Sequence, residues 1–318
     1  MCYNGVEKEM TLMGSRNIEV YSGLGRLPRA SAPDMLVPGC IVLEGGAFRG
    51  LYTTGVLDAM MEEGLNLRCT IGVSAGAVNG MNYVSGQIGR SALANLGYRH
   101  DPRYVGSTAV KDNKGVIGFN FLFKDFEKIY PFDRKRYMDP RRRFIIVVTD
   151  CETGEAVYCE KGRTGSTKRA IRASASMPYV SKPVRVDGRP SLDGGCAVKI
   201  PFQWAIDEGY EKIVLVRTRE KTYRRKENSP ETRLAHKFYR KYPLLADQLA
   251  TSPARSNADL DEIERLEDAG RMFVIAPSEP VEVDRLESDM EKLGALYRLG
   301  YDDAKARMPE LKAYLGVE

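Results

Sequence analysis

The sequence predicts an α/β fold, a three-layer α/β/α sandwich around a mostly parallel sheet. Two observations carry this. Short apolar runs recur along the chain: Ile41-Val42-Leu43, Cys69-Thr70-Ile71-Gly72-Val73, Phe144-Ile145-Ile146-Val147-Val148, Ile213-Val214-Leu215-Val216 and Met272-Phe273-Val274-Ile275. None alternates with polar residues, so they read as strands covered on both faces. Between them lie stretches with helical spacing, at 50–63, 75–86, 166–174, 202–208, 232–250, 258–269, 284–297 and 302–315. Strand and helix in alternation argue for helices packed on both sides of a parallel sheet.

Taken in order, residues 1–37 are rich in Gly, Ser, Pro and charge and read as a loose leader. Residues 38–280 read as the main domain, with a helical insertion at about 218–271. Residues 281–318 read as a C-terminal helical extension packed on the same domain. "EAVYCEKG" and "KPVRVDGRPSLDGG" look like edge strands and turns. The run "RTREKTYRRKE", residues 217–227, is strongly basic and follows a strand. It reads as a solvated loop or, more sharply, as a flap that touches anionic lipid headgroups. Tyr223, Phe238, Tyr239 and Tyr242 add aromatic character to 221–242. Such a stretch docks on a membrane or packs on the core.

Bulk properties bound the function. At 318 residues, 43% hydrophobic and 29% charged, the chain is an ordinary globular protein with room for a sizeable core. A net charge of +5 permits attraction to anionic surfaces without indicating nucleic acid as a partner. The six cysteines are scattered, with no C-x-x-C pair, and read as free thiols. Neither a calcium loop nor a zinc cluster is visible, so no metal or cofactor is expected. No stretch reaches the length that spans a bilayer. The N-terminus, "MCYNGVEKEMTLMGS", has no apolar signal core. The expected location is the cytoplasm, compatible with a transient, peripheral contact at a membrane.

Three motifs carry chemistry. Gly72-x-Ser74-x-Gly76 follows a strand and opens a helix, as a nucleophile elbow requires. Its glycines leave room around a strained serine, and Gly80 lies one turn beyond Gly76. The helix N-terminus beside Ser74 favours negative charge. "LEGGAFRG", residues 43–50, also joins a strand to a helix and can aim free backbone N–H groups at an anion or oxyanion. Its spacing is not that of a dinucleotide loop, and no G-K-[ST] follows. Arg49 in this loop is suited to grip an anionic group such as a phosphate, or to form a structural ion pair. "SLDGG" places Asp193 at the end of a short strand before two permissive glycines. Alone, it would be a common Asp-Gly turn.

In this order and at these separations the three motifs resemble the patatin-like phospholipase family. "ASASMPYVSKPV", residues 173–184, is similar to the family stretch between the second and third motifs. The resemblance covers about residues 39–217, and the continuation through 302 is similar to a bacterial branch. It implies the patatin-like version of the sandwich and a Ser-Asp dyad, with Ser74 as nucleophile and Asp193 as general base. It also implies an oxyanion hole from the N–H groups of Gly46 and Ala47, with Gly45 supplying the turn, and Arg49 steadying a phosphate or acyl headgroup. The family loop usually has a third glycine where this chain has Ala47; alanine keeps the N–H but adds a methyl.

The expected activity is hydrolysis of carboxylic esters, of the phospholipase A or lysophospholipase type, on a lipid or small ester substrate. Three alternatives stay open at this stage. Ser74, Asp193 and His236 follow the chain order of an α/β-hydrolase triad, although His236 lies in a charged helical stretch. His100 reads as part of a turn. "GGAFRG" could serve a phosphate- or nucleotide-binding protein. The site could also be a catalytically silent one kept for interaction.

Overall fold

In the computed structural model of the chain, residues 18–227 and 229–317 are described. Cys2 and the first part of the expected leader, 1–17, lie outside them. The strands in chain order are β1 (Ala30–Ser31), β2 (Val37–Leu43), β3 (Leu67–Val73), β4 (Gln87–Ile88), β5 (Arg143–Asp150), β6 (Ala156–Glu160), β7 (Val184–Val186), β8 (Arg189–Asp193), β9 (Ile213–Val216) and β10 (Phe273–Ile275). Eight of them form one sheet in the order β10-β9-β2-β3-β5-β8-β7, with β6 also on β5. The first five are parallel; β6, β7 and β8 run antiparallel to their neighbours.

The apolar runs are buried on both faces. Ile41, Leu43, Phe144, Ile146, Val148, Val214 and Val216 belong to one core. Cys40, Val42, Ile71, Val73, Ile145, Val147, Ile213 and Leu215 belong to the other. The period-2 geometry of a strand sends successive side chains to opposite faces, so a continuous apolar run fills both cores. The five described cysteines are buried and free.

Most expected helices form, at Gly50–Glu62, Ala75–Val84, Thr167–Ser174 and Phe202–Asp207; the C-terminal pair forms at Met290–Ala306 and Met308–Leu315, shifted from the expected 284–297 and 302–315. The insertion differs in detail. Its first helix ends at Phe238, and a second runs unbroken from Pro243 to Asp268 through Pro253. No helix was expected between 88 and 143, yet Arg90–Tyr98, Ser107–Asn113, a π-turn at Phe121–Asp125, Phe126–Ile129 and Arg134–Met138 lie there. None of the described helices is long and apolar enough to cross a membrane.

The part of the leader that is described, 18–37, is not loose. β1 pairs with β4, and Leu24, Leu27 and Ala32 enter the larger core. Ser22 donates to Glu291 Oε2 (2.9 Å). Three apolar side chains spaced among Gly, Ser and Pro carry too little periodicity to announce this in the sequence.

The C-terminal segment packs on the helix that follows the glycine-rich loop. Tyr52 Oη donates to Asp303 Oδ2 (2.9 Å), and Tyr297 Oη donates to the buried Asp58 Oδ2 (3.0 Å). The two helices touch backbone to backbone. A methyl on Gly55 would stand 2.1 Å from Tyr297 O, and one on Gly300 would stand 2.1 Å from Tyr52 O. Helix propensity favours alanine by about 1 kcal/mol, but overpacking of this kind costs about 1–3 kcal/mol or more and outweighs it. Gly300→Ala is therefore expected to lower stability by at least about 1 kcal/mol in urea unfolding. A neutral or stabilising result would show that this crossing is looser than described.

Candidate active site

The site is built on β5. Val147 pairs with Val73 on one side and Tyr158 on the other. Val148 pairs with Val157 and Asp193, and Thr149 with Ala156 and Leu192. β6 therefore fills one edge of β5, while β3 and β8 share the other. β3 runs parallel to β5 and ends at Val73; β8 runs antiparallel and ends at Asp193. Their C-terminal ends meet head to head at the Val147–Val148 step.

That meeting brings the two candidate residues together across 119 positions of sequence: Ser74 Oγ donates to Asp193 Oδ2 at 2.7 Å. Both are buried. The other carboxylate oxygen, Oδ1, accepts from Gly195 N (2.8 Å). Burial raises the Asp193 carboxyl above its usual range, against the hydrogen bonds from Ser74 and Gly195 and the charges of Lys199 and Arg285.

Ser74 sits at φ 57°, ψ −122°, a strained conformation for a residue with a side chain. Its N–H donates to Ser174 Oγ (2.9 Å), whose hydroxyl donates in turn to Val147 O (2.6 Å). Gly72 and Gly76 serve proximity here. A methyl on Gly72 would stand 2.5 Å from Gly76 O, and one on Gly76 only 2.3 Å from Leu43 O. Gly80 likewise lets the helix Ala75–Val84 approach Phe144 of the sheet.

The glycine-rich loop lies against the same serine. A methyl on Gly45 would be 2.9 Å from Ser74 Cβ. Thr218 clamps the loop from β9: its hydroxyl donates to Gly45 O (3.1 Å) and its N–H to the buried Glu44 (2.7 Å). Among the described residues the amides of Gly45, Gly46 and Ala47 have no hydrogen-bond partner. Positive φ falls on Ala47 (50°) rather than on Gly45 or Gly46, so the chain carries strain where the usual glycine is missing.

Two cavities flank the Ser74–Asp193 pair. One is apolar, about 540 Å³ up to its open mouth, with Phe48, Leu51, Tyr104, Ile117, Phe119 and Leu122 in its wall. The other, also about 540 Å³, is lined by Asp193 and by Arg49, Lys199, Arg225 and Arg285. It continues past Pro178 into a wider cleft edged by Tyr179 and Tyr223. Arg49 is 8% exposed, and its Nε has no partner among the described residues. Burial and the neighbouring arginines lower its pKa to about 10. Lys199 donates to Gly195 O, and burial together with Arg225 lowers its pKa to about 8.

The sequence motifs did not reveal Lys199, Arg225, Arg285, Ser174 or the apolar wall from 104 to 122. Arg225 lies in the basic run read as a loop or flap. His236 is on the exposed helix Pro230–Phe238 and pairs with Asp247 (2.8 Å). His100 contacts Ser288 O (2.9 Å).

With this geometry in hand, comparison with known proteins is decisive on ancestry. A family model described as "Patatin-like phospholipase" matches residues 41–206, about half of the chain. The chain belongs to the patatin-like phospholipase family. The patatin-like stretch contains Ser74, Asp193, Arg49 and Lys199, whereas Arg225 and Arg285 lie beyond it. A second model, "Domain of unknown function (DUF6363)", matches residues 242–316. Among relatives, "Uncharacterized protein YjjU" of Escherichia coli K12 is 26% identical over 186 residues, 56% of this chain and 51% of that one. "Uncharacterized NTE family protein Rv1063c" of Mycobacterium tuberculosis H37Rv is 28% identical over 165 residues, 51% of this chain and 44% of that one. "Probable lipid hydrolase 463L" of invertebrate iridescent virus 6 is 24% identical over 209 residues, 58% of this chain and 71% of that one. The matched stretch thus spans about half the length of the first two relatives. The crystal structure of VipD from Legionella pneumophila aligns with a TM-score of 0.41 at 14% identity, over 93% of this chain and 70% of that one.

Two outcomes are expected. An acceptor carboxylate works only when ionised, so the rate at which a fluorophosphonate labels the serine should rise with pH and then level off. The midpoint should lie above about 3.9, the ordinary aspartate value, because burial raises Asp193. A flat profile, or a midpoint below that value, would contradict the electrostatics described. Ala47→Gly should raise stability in urea unfolding by about 0.5–1 kcal/mol through relief of the positive φ. A loss would mean that the methyl is held by packing.

Proposed function

We propose that the protein hydrolyses carboxylic esters of lipids, as a phospholipase A or lysophospholipase, through a Ser-Asp dyad and an acyl-enzyme. The observation that carries this reading is the 2.7 Å hydrogen bond from Ser74 Oγ to Asp193 Oδ2, beside unpaired amides and an apolar pocket. Ser74 Oγ attacks the ester carbonyl while its proton passes to Asp193. The negative oxygen accepts from the N–H groups of Gly46 and Ala47. Asp193 then returns the proton to the leaving alcohol. Water attacks the acyl-serine, gives its proton to Asp193, and the fatty acid departs as Ser74 is restored. The acyl chain occupies the apolar pocket, and Arg49 faces the headgroup side.

The relatives named for lipid hydrolysis and for the NTE family favour this class. The membrane contact is proposed at the first helix of the insertion. Phe238 is 59% exposed and stacks edge-on against Tyr179, with Leu234, Leu244 and Val180 also exposed. Tyr239, by contrast, accepts a hydrogen bond from Tyr179 N, and Tyr223 lines the cleft. The cationic cleft favours one second reading, a phosphate-binding protein without catalysis.

Fluorophosphonate labelling of the purified chain, with an ester panel, separates these. The hydrolase reading expects labelling lost in Ser74→Ala and ester turnover slowed by about 10²–10⁴-fold in Asp193→Asn. His236→Ala should stay within about twofold, because His236 pairs with Asp247. Labelling without turnover of any ester would point to the silent site, and no labelling to the binding protein. A drop of several orders of magnitude in His236→Ala would restore the triad.

A further inference from the structure

We propose that the cleft lined by Arg49, Lys199, Arg225 and Arg285 receives a phosphomonoester dianion, so that the lipid cleaved carries a terminal phosphate, as phosphatidate and lysophosphatidate do. The choice of substrate rests on the hydrolase reading; the anion site does not.

The charge count comes first. Four cationic side chains line the cleft against one lining carboxylate, Asp193, with Glu44 behind Arg225, so positive charge is in clear excess. A phosphomonoester carries close to two negative charges at neutral pH. A diester headgroup carries one negative charge and would leave more of that positive charge unmatched.

Unused donors come second. Among the described residues the guanidinium groups of Arg49 and Arg285 form no hydrogen bond or ion pair with another side chain. Arg49 is buried, where an unpaired guanidinium is costly, while Arg285 is exposed at the cleft edge; the planar fork of each matches phosphate oxygens two at a time. Arg225 is only partly engaged: its Nε donates to Ser256 Oγ (2.9 Å), and Glu44 stands 3.6 Å from its Nη2.

Among the described residues, the carboxylates beside the cleft are already engaged and offer little to the cation of a zwitterionic headgroup. Glu44 already accepts from Thr218 N and faces Arg225. Asp193 is taken by Ser74 and Gly195. The Tyr223 ring is covered by the guanidinium groups of Arg219 (4.9 Å) and Arg225 (5.9 Å), so it cannot cradle a choline. The cleft also adjoins the Ser74–Asp193 pair and meets the apolar pocket at Ala47, Ser74 and Met177, so an ester held by its acyl chain in one can present its headgroup to the other.

The test has a binding arm and a kinetic arm. In isothermal titration of the full chain, sn-glycerol 3-phosphate should bind at least about tenfold more tightly than glycerophosphocholine. Arg285→Gln should weaken glycerol 3-phosphate by about tenfold, the worth of one charge-assisted hydrogen bond, and Arg285→Lys by less. Arg285 is exposed, so its substitution leaves the core intact. In mixed micelles of matched surface charge, kcat/KM on phosphatidate should exceed that on phosphatidylcholine by about tenfold or more. That preference should shrink in Arg285→Gln. Equal affinity for the two glycerol phosphates, or indifference to Arg285→Gln, overturns the proposal. Inorganic phosphate bound as tightly as glycerol 3-phosphate, with no kinetic preference, overturns it in favour of a free-phosphate site. Arg285-dependent binding of glycerol 3-phosphate with no ester cleaved supports the anion site and removes the hydrolase reading instead.

Discussion

One edge of β5 carries two strands that run toward each other, and the site depends on that arrangement. β3 delivers Ser74 from one direction and β8 delivers Asp193 from the other. Both ends are referenced to the same backbone. Ser174 ties the Ser74 amide to Val147 O. Thr149, two residues on, donates to Asp193 O (2.9 Å) and accepts from Ala197 N (3.1 Å). A shift of either strand by one residue would turn its terminal side chain to the opposite face. The 2.7 Å contact therefore follows from sheet register, with Ser174 and Thr149 fixing its two ends.

The strain in the site falls on side-chain-bearing residues. Ser74 and Ala47 have positive φ, while Gly45, Gly46, Gly72 and Gly76 do not. Residues held in such regions cost about 1–3 kcal/mol each and persist where the surroundings over-determine them. The glycines supply that over-determination by removing bulk. The helix after Ser74 closes to within 2.3 Å of a hypothetical Gly76 methyl at Leu43 O, and the loop Gly45–Ala47 lies directly on the serine. Farther out, Arg255 braces the turn after Asp193 through Ala197 O (2.5 Å) and Cys196 O (3.3 Å). The long insertion helix is thus joined mechanically to the carboxylate.

The legible parts of the sequence were those set by local rules. Unbroken apolar runs announced the buried parallel strands, and strand–glycine–helix junctions announced both loops around Ser74. The pairing of Ser74 with Asp193 was legible only through the family resemblance, because spacing alone does not bring together residues 119 positions apart. Pro253 lies between the stretches with helical spacing at 232–250 and 258–269. It is carried inside one helix, which is packed along Leu249, Ser252, Ser256 and Leu260. The stretch 88–143 mixes aromatic, glycine and charged residues without a clear period, so its helices and the pocket wall it builds stayed hidden. Lys199 and Arg285 were invisible as site residues, since their convergence depends on three separate segments folding back to one cleft.

The cleft and the carboxylate also act on each other. Burial makes Asp193 a better proton acceptor than an aspartate in water, while Lys199 and Arg285 oppose that effect. In an empty site, the cations that attract an anion weaken the base beside them. An anion bound among them offsets their field at Asp193 and returns the advantage of burial. Under the proposed mechanism, binding energy from a distant headgroup would then be expressed at Ser74, which is where an interaction must act to raise the rate and not merely the affinity. Burial first, and Arg225 after it, lower the pKa of Lys199 to about 8, and an anion among these groups would offset the contribution of Arg225. On this argument the basic cleft and the Ser74–Asp193 pair form one electrostatic unit, coupled over the few residues from Asp193 to Lys199.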